Sequence, residues 1–432
     1  MPYFARTGAA LATGLLMPLP AFAQDTLNSG DTAWVIAATA LVLFMTLPGL
    51  ALFYAGLVRS QAVLSVVMQC FAIACLSSIL WLVAGYSLAF GDSIAGWVGG
   101  LDKAFFAGIT ADVLSGSIPE IVFAMFQMTF AVITPALIVG AYPERMKFSA
   151  VLWMSGLWLL LVYAPVCHWV WGGGWLAEMG VMDFAGGIVV HATAGISAIV
   201  IAVVLGSRRG YPDHVRPPHN PGMTATGAAM LWVGWYGFNG GSQLAADGGA
   251  GMAIAATHIA AATAAIAWMA IEWIKFGKPS LVGAVTGVIA GLATVTPASG
   301  FIGPMGGLLL GLTAGIVCFY AVQIVKFSLK IDDSLDVFAV HGVGGILGSL
   351  LVSVLALAAF GGGGLADGQT VGGQLGVQAL GVGVTLIWSA GFTFLILKIT
   401  GALTGGLRVT EEQEIEGLDL ASHGETGYDL GR

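Results

Sequence analysis

Charge is what this sequence has least of. Asp, Glu, Lys and Arg make up 9% of its 432 residues, against about 25% in an ordinary soluble domain. No basic stripe marks a nucleic-acid surface, so nucleic-acid binding has no support. Cysteine is scarce as well. Cys70, Cys75, Cys167 and Cys318 lie inside or at the edge of apolar runs without C-x-x-C spacing, which argues against a disulfide framework or a thiolate metal site and for packing. A net charge of −8 says little about partners, because Glu411, Glu412, Glu414, Glu416 and Asp419 crowd into one segment.

Apolar and small residues fill the space that charge leaves. Hydrophobic residues are 57% of the chain and Gly accounts for 64 positions, roughly twice its usual share. In lipid, small residues let helix backbones approach closely, so this composition reads as tight helix packing in an all-α polytopic membrane protein. Residues 1–23 carry Arg6, a short apolar run from Ala9 to Leu19 and the Ala21-Phe22-Ala23 tripeptide. That is the pattern of a secretory signal cleaved after Ala23, and a run ended by Pro18 and Pro20 is too short to span.

Beyond it the sequence predicts eleven spans, at 32–56, 62–90, 119–141, 148–170, 184–206, 223–239, 250–274, 280–297, 304–326, 336–360 and 372–400. Membrane domain 24–400 is then followed by a tail, 401–432. With the mature N-terminus outside, thirteen of the fifteen Lys and Arg residues fall on inner segments: Arg59, Arg145, Lys147, Arg208, Arg209, Arg216, Lys275, Lys278, Lys326, Lys330, Lys398, Arg408 and Arg432. Lys103 alone lies outside, and Arg6 leaves with the signal. The positive-inside rule therefore predicts a plasma (inner) membrane protein with its N-terminus outside and its C-terminal tail in the cytoplasm.

One short motif occurs twice. Val190-His191-Ala192-Thr193-Ala194-Gly195-Ile196 returns as Val340-His341-Gly342-Val343-Gly344-Gly345-Ile346, in the fifth and tenth spans. Ten spans divided five and five give halves of opposite orientation, an inverted repeat with its functional path at the interface between halves. The eleventh span wraps the bundle. Histidine at membrane depth is costly and faces an interior or watery path, so His191 and His341 are expected to meet on such a path. His168 and His258 belong to no such pair and are assigned to packing.

Other candidates flank that path. Asp183 opens the fifth span as an N-cap or as a carboxylate that attracts a cation. Asp336 opens the tenth, with Asp332 and Asp333 just before it, where capping is the stronger reading. Phe126 and Phe130 share a helix face. Trp171 precedes Gly172-Gly173-Gly174, and Phe238 precedes Asn239-Gly240-Gly241-Ser242 at the outer ends of their spans. Such residues are commonly interfacial or core, but aromatic faces beside a hydroxyl also suit a desolvated cation.

These strings, with Glu144-Arg145, Gly234-Trp235-Tyr236-Gly237-Phe238-Asn239, Asp336-Val337-Phe338-Ala339-Val340-His341 and the tail strings Gly406-Leu407-Arg408-Val409 and Glu416-Gly417-Leu418-Asp419, resemble the ammonium transporter (Amt) family of the Amt/Rhesus superfamily across nearly the whole mature chain. The resemblance implies an eleven-helix protomer in a homotrimer, each protomer with its own pore, and no enzyme activity or cofactor. It also implies an outer ammonium site at Trp171, Phe130 and Ser242 with Asp183 near the entrance, a gate at Phe126, Phe130 and Phe238, and a pore lined by His191 and His341. The family's tail receives a cytoplasmic PII-type signalling trimer. A bis-histidine haem oxidoreductase remains the alternative, while a carbonyl-filter channel lacks its TVGYG string and a zinc site lacks ligands.

Overall fold

The computed structural model describes residues 26–214 and 216–429, so the leader expected at 1–23 lies outside the described residues. Its helices are α1 (Ser29–Leu57), α2 (Val63–Phe90), α3 (Glu120–Ala141), α4 (148–170), α5 (Gly187–Leu205), α6 (221–240), α7 (Gly248–Phe276), α8 (Leu281–Val295), α9 (Pro304–Ser328), α10 (Phe338–Leu355) and α11 (Val371–Leu403). Every expected span is occupied by a helix, with ends shifted by a few residues. Among the described residues nine helices are long and apolar enough to cross a membrane. The other two are α6, which Gly, Thr and Pro make less apolar, and the short α8; length and composition alone therefore do not establish eleven crossings.

Polar side chains set several of the starts. Asn28, Asn220, Asp247, Ser280 and Thr370 each accept from backbone amides in the first turn of α1, α6, α7, α8 and α11, and each such cap stabilises its helix by about 1 kcal/mol. Between α2 and α3 the chain makes two small hairpins, β1 (Ser93–Ile94) with β2 (Val98–Gly99) and β3 (Leu114–Ser115) with β4 (Ile118–Pro119). Lys103 pairs there with Glu120 at the start of α3.

Helix contact relies on small residues, as the composition predicts. Gly307, Gly311 and Gly315 of α9 lie over α7 so closely that a Cβ on each would stand 2.6, 2.3 and 2.6 Å from the carbonyl oxygens of Ala256, Ala260 and Ala264. One glycine per turn thus fits one alanine per turn, which maximises dispersion contact where no hydrophobic force separates helix from lipid. Buried hydroxyls and amides add polar links. Trp158 donates to Ser197 and Thr393, and Gln378 donates to the carbonyls of Met182 and Ser349, so α11 is tied to α4, α5 and α10 around the outside of the bundle.

Several helices widen into π turns, and their positions follow the two halves. They occur at Met45–Leu50 in α1 and Tyr236–Gly240 in α6, at Leu159–Tyr163 in α4 and Ile324–Ser328 in α9, and at Gly187–Ala192 in α5 and Phe338–Gly342 in α10. A further one in α2, Trp81–Gly85, has no counterpart in α7. Such turns recur at functional sites because they re-aim side chains. Here they carry His191, His341 and Phe238.

The predicted inner loops gather at one end. Arg145 is fully buried and donates to the carbonyls of Ala141, Gly206 and Asp332 and to Ser334 Oγ, so a single guanidinium clamps three connections. Burial lowers its pKa to about 10, with Asp332 opposing that effect. The tail begins by pairing along this surface, where Lys147 N donates to Leu407 O and Val409 N donates to Arg145 O. Two short helices follow, α12 (Glu411–Glu416) and α13 (Leu418–His423).

Candidate functional site: a barred path through the bundle

Three spaces lie in series between the two ends. The outer one, a cavity of about 290 Å³, is lined by Phe130, Trp171 and Ser242, together with Phe90, Phe123, Gln127 and Phe184. Phe130 stands edge-on to Trp171, with ring centroids 5.6 Å apart. Ser242 Oγ donates to Phe238 O at 2.8 Å, which turns its lone pairs outward as acceptors. Gln127 Oε1 is buried and has no hydrogen-bond partner, a second acceptor that sequence reasoning missed. Its spacing from Phe123 and Phe130 on one face of α3 was the available signal. Aromatic faces plus unsatisfied acceptors are what a cation with N–H donors would need on leaving water.

Asp183 does not line that cavity. Its Oδ1 accepts from the amides of Gly186 and Gly187 and its Oδ2 from those of Ile188 and Val189, so the carboxylate is used up as the cap of α5. Its backbone carbonyl accepts from Trp171 Nε1 at 2.8 Å, and in this way it orients the indole. The corresponding residue in the second half is Asp333, at the same offset before His341, whose Oδ2 accepts from Phe338 N at 2.7 Å. Asp336, expected to cap, has a positive φ of 63° and instead pairs with Lys326 at 2.7 Å.

Below the outer cavity the rings close. Phe130 and Phe238 lie 4.4 Å apart between centroids, and Phe126 stands edge-on to Phe130 at 5.1 Å. All three are buried. Beneath Phe238 runs a narrow apolar lumen, lined by Ile133, Leu137, Leu231, Trp235, His191 and His341 and too tight for a water-sized sphere. Trp235, also missed, is held by its Nε1 bond to Thr296 and stacks on His191 at 5.6 Å. The two histidines meet there, with Nδ1 atoms 3.3 Å apart and rings at 5.2 Å. His341 also lines the third space, an inner cavity of about 370 Å³ with Lys326, Asp336, Arg208 and Arg216 at its mouth.

Backbone contact brings the histidines together. A Cβ on Gly195 would fall 2.2 Å from Gly342 Cα, and one on Gly345 would fall 2.7 Å from His191 Cβ, so α5 and α10 cross through equivalent positions of the repeated motif. His168 packs as expected, between Ser93 Oγ and Ala89 O. His258 does not. It is exposed on α7 and bonds Tyr236 OH at 2.7 Å.

A bundle of apolar helices with a narrow, two-ended path defines a polytopic membrane transport protein. Comparison with known proteins makes this specific. A family model described as Ammonium Transporter Family matches residues 33–428. An ammonium transporter of Aquifex aeolicus is 45% identical over 94% of each chain, and Ammonium transporter Amt1 of Archaeoglobus fulgidus is 43% identical over 93% of this chain and all of that one. Among solved structures, a protein titled Sensor Amt Protein superposes with a TM-score of 0.85 at 32% identity, over 91% of this chain and 98% of that one. Mep2 of Saccharomyces cerevisiae gives 0.81 at 33%, covering 90% and 89%. The chain belongs to the ammonium transporter family.

Proposed function

We propose that this protein carries ammonium across the plasma membrane by binding the ion outside, stripping one proton, and passing neutral ammonia through the lumen. The lumen's lining carries this reading, since a narrow path walled by Ile133, Leu137, Leu231 and Trp235 offers an ion almost nothing in place of its hydration. A bare charge at membrane depth costs at least about 2.5–3.5 kcal/mol. Ammonia escapes that cost, whereas potassium, of similar size, has no proton to lose. Trp171, Phe130, Ser242 and Gln127 replace part of the ion's hydration, Phe126, Phe130 and Phe238 form the gate, and the His191–His341 pair relays the released proton. Asp183 acts at this site by holding Trp171.

The wider assembly belongs to the same proposal. We assign eleven crossings in two inverted halves plus α11, a cleaved leader, and the tail end in the cytoplasm; the basic loops gathered around Arg145 support that orientation. A homotrimer is supported by the exposed His258, bonded to the half-buried Tyr236. His258 lies roughly 15 Å along α7 from that helix's start at 1.5 Å per residue, a depth at which an imidazole facing lipid is unfavourable. A second copy of the chain would cover it. The docked tail supports a platform for a PII-type trimer.

Proteoliposomes holding the purified protein test the transport reading. Isotope uptake together with current is expected. Uptake without current would remove the proton relay and leave ammonia conduction, and neither signal would overturn the whole proposal. No cofactor enters this scheme, and haem absorbance in the pure protein would favour the oxidoreductase reading instead.

A further inference from the structure

Where the tail meets the loops, the basic end encloses a cavity of about 600 Å³ lined by Arg59, Arg208, Arg209 and Arg216 together with His214. That volume is in the range of small-molecule sites. Two carboxylates also line it, Glu144 and Glu414, and both are already engaged. Glu144 accepts from Arg59 N and Nε at 2.8 Å, and Glu414 accepts from Arg209 N at 2.8 Å and Arg408 Nη2 at 2.7 Å. Arg208 is bound to Asp332 through its amide and guanidinium. The unspent positive charge therefore sits on Arg209 and Arg216. Among the described residues the Arg209 guanidinium pairs only with Glu411, at 3.6 Å and with both side chains largely exposed, a loose pair of little strength. Arg216 makes no ion pair among the described residues.

We propose that this cavity binds a phosphate-bearing anion through Arg209, Arg216 and His214, and that Glu411 of the tail occupies Arg209 in its place when the anion is absent. Guanidinium forks match phosphate oxygens and gain most where several converge. Phosphate carries more charge than the single, loosely held Glu411 carboxylate, so it displaces that carboxylate. Arg208 and Arg216 also line the inner mouth of the path, so the occupant of this cavity touches both the tail and the exit. The charge could be presented by a soluble phosphate compound or by an anionic lipid headgroup. Neither source depends on the transport reading, and binding to purified protein is independent of membrane orientation.

Two arms test it with the full-length protein. In detergent at low salt, calorimetric titration with pyrophosphate is expected to show saturable binding. Arg216→Gln should weaken it severalfold, Arg209→Gln with Arg216→Gln by about tenfold or more, as loss of charged hydrogen bonds implies, and Glu411→Gln should tighten it. In nanodiscs, the tail of the wild type but not of the double variant should become more accessible to protease with phosphatidylglycerol than with phosphatidylcholine, if the headgroup is the source. Arg216, without an ion pair, is the variant least able to disturb folding. A response in either arm alone supports the site and identifies the source. Silence in both, equal pyrophosphate affinity in wild type and double variant, or binding of acidic peptides only, overturns the proposal.

Discussion

His191 and His341 face each other through their Nδ1 atoms, 3.3 Å apart. Two neutral imidazoles in that arrangement hold one proton between them, so the rings must be opposite tautomers, one Nε2 bearing hydrogen and the other bare. A donor and an acceptor are thereby presented to one lumen. Replacing either histidine by Ala removes that pairing without touching the helix crossing. Ammonium uptake by His191→Ala or His341→Ala in proteoliposomes is expected to fall by about fivefold or more, on the scale of a lost buried hydrogen bond of about 1–3 kcal/mol. The variants should still elute as the wild type does, and wild-type uptake with unchanged ion discrimination in both would remove the pair from the proposed pore.

On the proposed reading the outer cavity serves capture and not passage, which a variant can test. A double variant, Trp171→Leu with Ser242→Ala, loses an aromatic face worth about 0.5–2 kcal/mol to a cation and a hydroxyl acceptor. Its half-saturating ammonium concentration is expected to rise by roughly two- to thirtyfold, with the rate at saturating ammonium much less affected. A concentration dependence identical to wild type would rule out an ion site at this mouth.

Much of this architecture is legible in the sequence. Apolar runs mark the helices, and the repeated His motif points to the two residues that the fold brings into contact, because both signals come from residues close in sequence. Three features are not legible there. Gln127 shares a helix face with Phe123 and Phe130, but that spacing fits a core position equally well, and its orphaned acceptor in a cavity decides for the site. Asp183 carries two compatible readings, and four backbone amides, visible only in three dimensions, decide for the cap. Asp336 stands closer to the helix start than Asp333, yet backbone turn geometry, not sequence distance, makes Asp333 the cap. In the tail, Val409 and Leu418 are buried, while Ile415 and Leu420 remain exposed.

The histidine contact depends on glycine at the helix crossing. Gly195→Ala sets a methyl 2.2 Å from Gly342 Cα, a backbone atom that cannot rotate away, so α5 and α10 must separate. Thermal unfolding should show a loss of about 1–3 kcal/mol from overpacking. Gly383→Ala in α11 provides the control, since nothing lies within 4 Å of its added Cβ. That change should be neutral or slightly stabilising, as Ala favours helix. Equal stability in the two variants would contradict the crossing geometry.

Asp333, in the turn before α10, has its carboxyl pushed up from 3.8 to about 7 by burial and by the neighbouring Asp336. The folded protein therefore holds this proton more tightly than the unfolded chain. Its stabilising contribution is complete below about pH 4 and is lost as pH rises from there through about 7. Asp333→Asn keeps an acceptor for Phe338 N and cannot ionise. Thermal stability between about pH 5 and 7.5 should thus fall less with rising pH in the variant than in the wild type, and parallel curves would mean that Asp333 does not titrate in this window.

The tail is held by a cap supplied from outside the helix that needs it. α2 begins at Val63 after Ala62, which has no side chain to cap with, and Asp419 of α13 supplies the carboxylate, accepting from Leu64 N at 3.0 Å and from Ser65 N. Glu414 adds a second attachment, its Oε1 accepting from Arg209 N and its backbone carbonyl from Arg59 Nη2. Removing the cap by Asp419→Ala costs about 1 kcal/mol or more locally, so amide exchange at Leu64 and Ser65 should accelerate by about fivefold or more while exchange in the core of α5 stays unchanged. If a PII-type trimer reads this surface, loosening the tail should weaken its nucleotide-dependent capture by membranes. Deleting 407–432 should weaken it further and alter uptake, although the deletion leaves the residues of the lumen in place. Membranes with the full tail, with Asp419→Ala and without 407–432, compared for co-purification of that partner, decide the matter; equal capture by all three would leave the tail as a structural strap with no docking role.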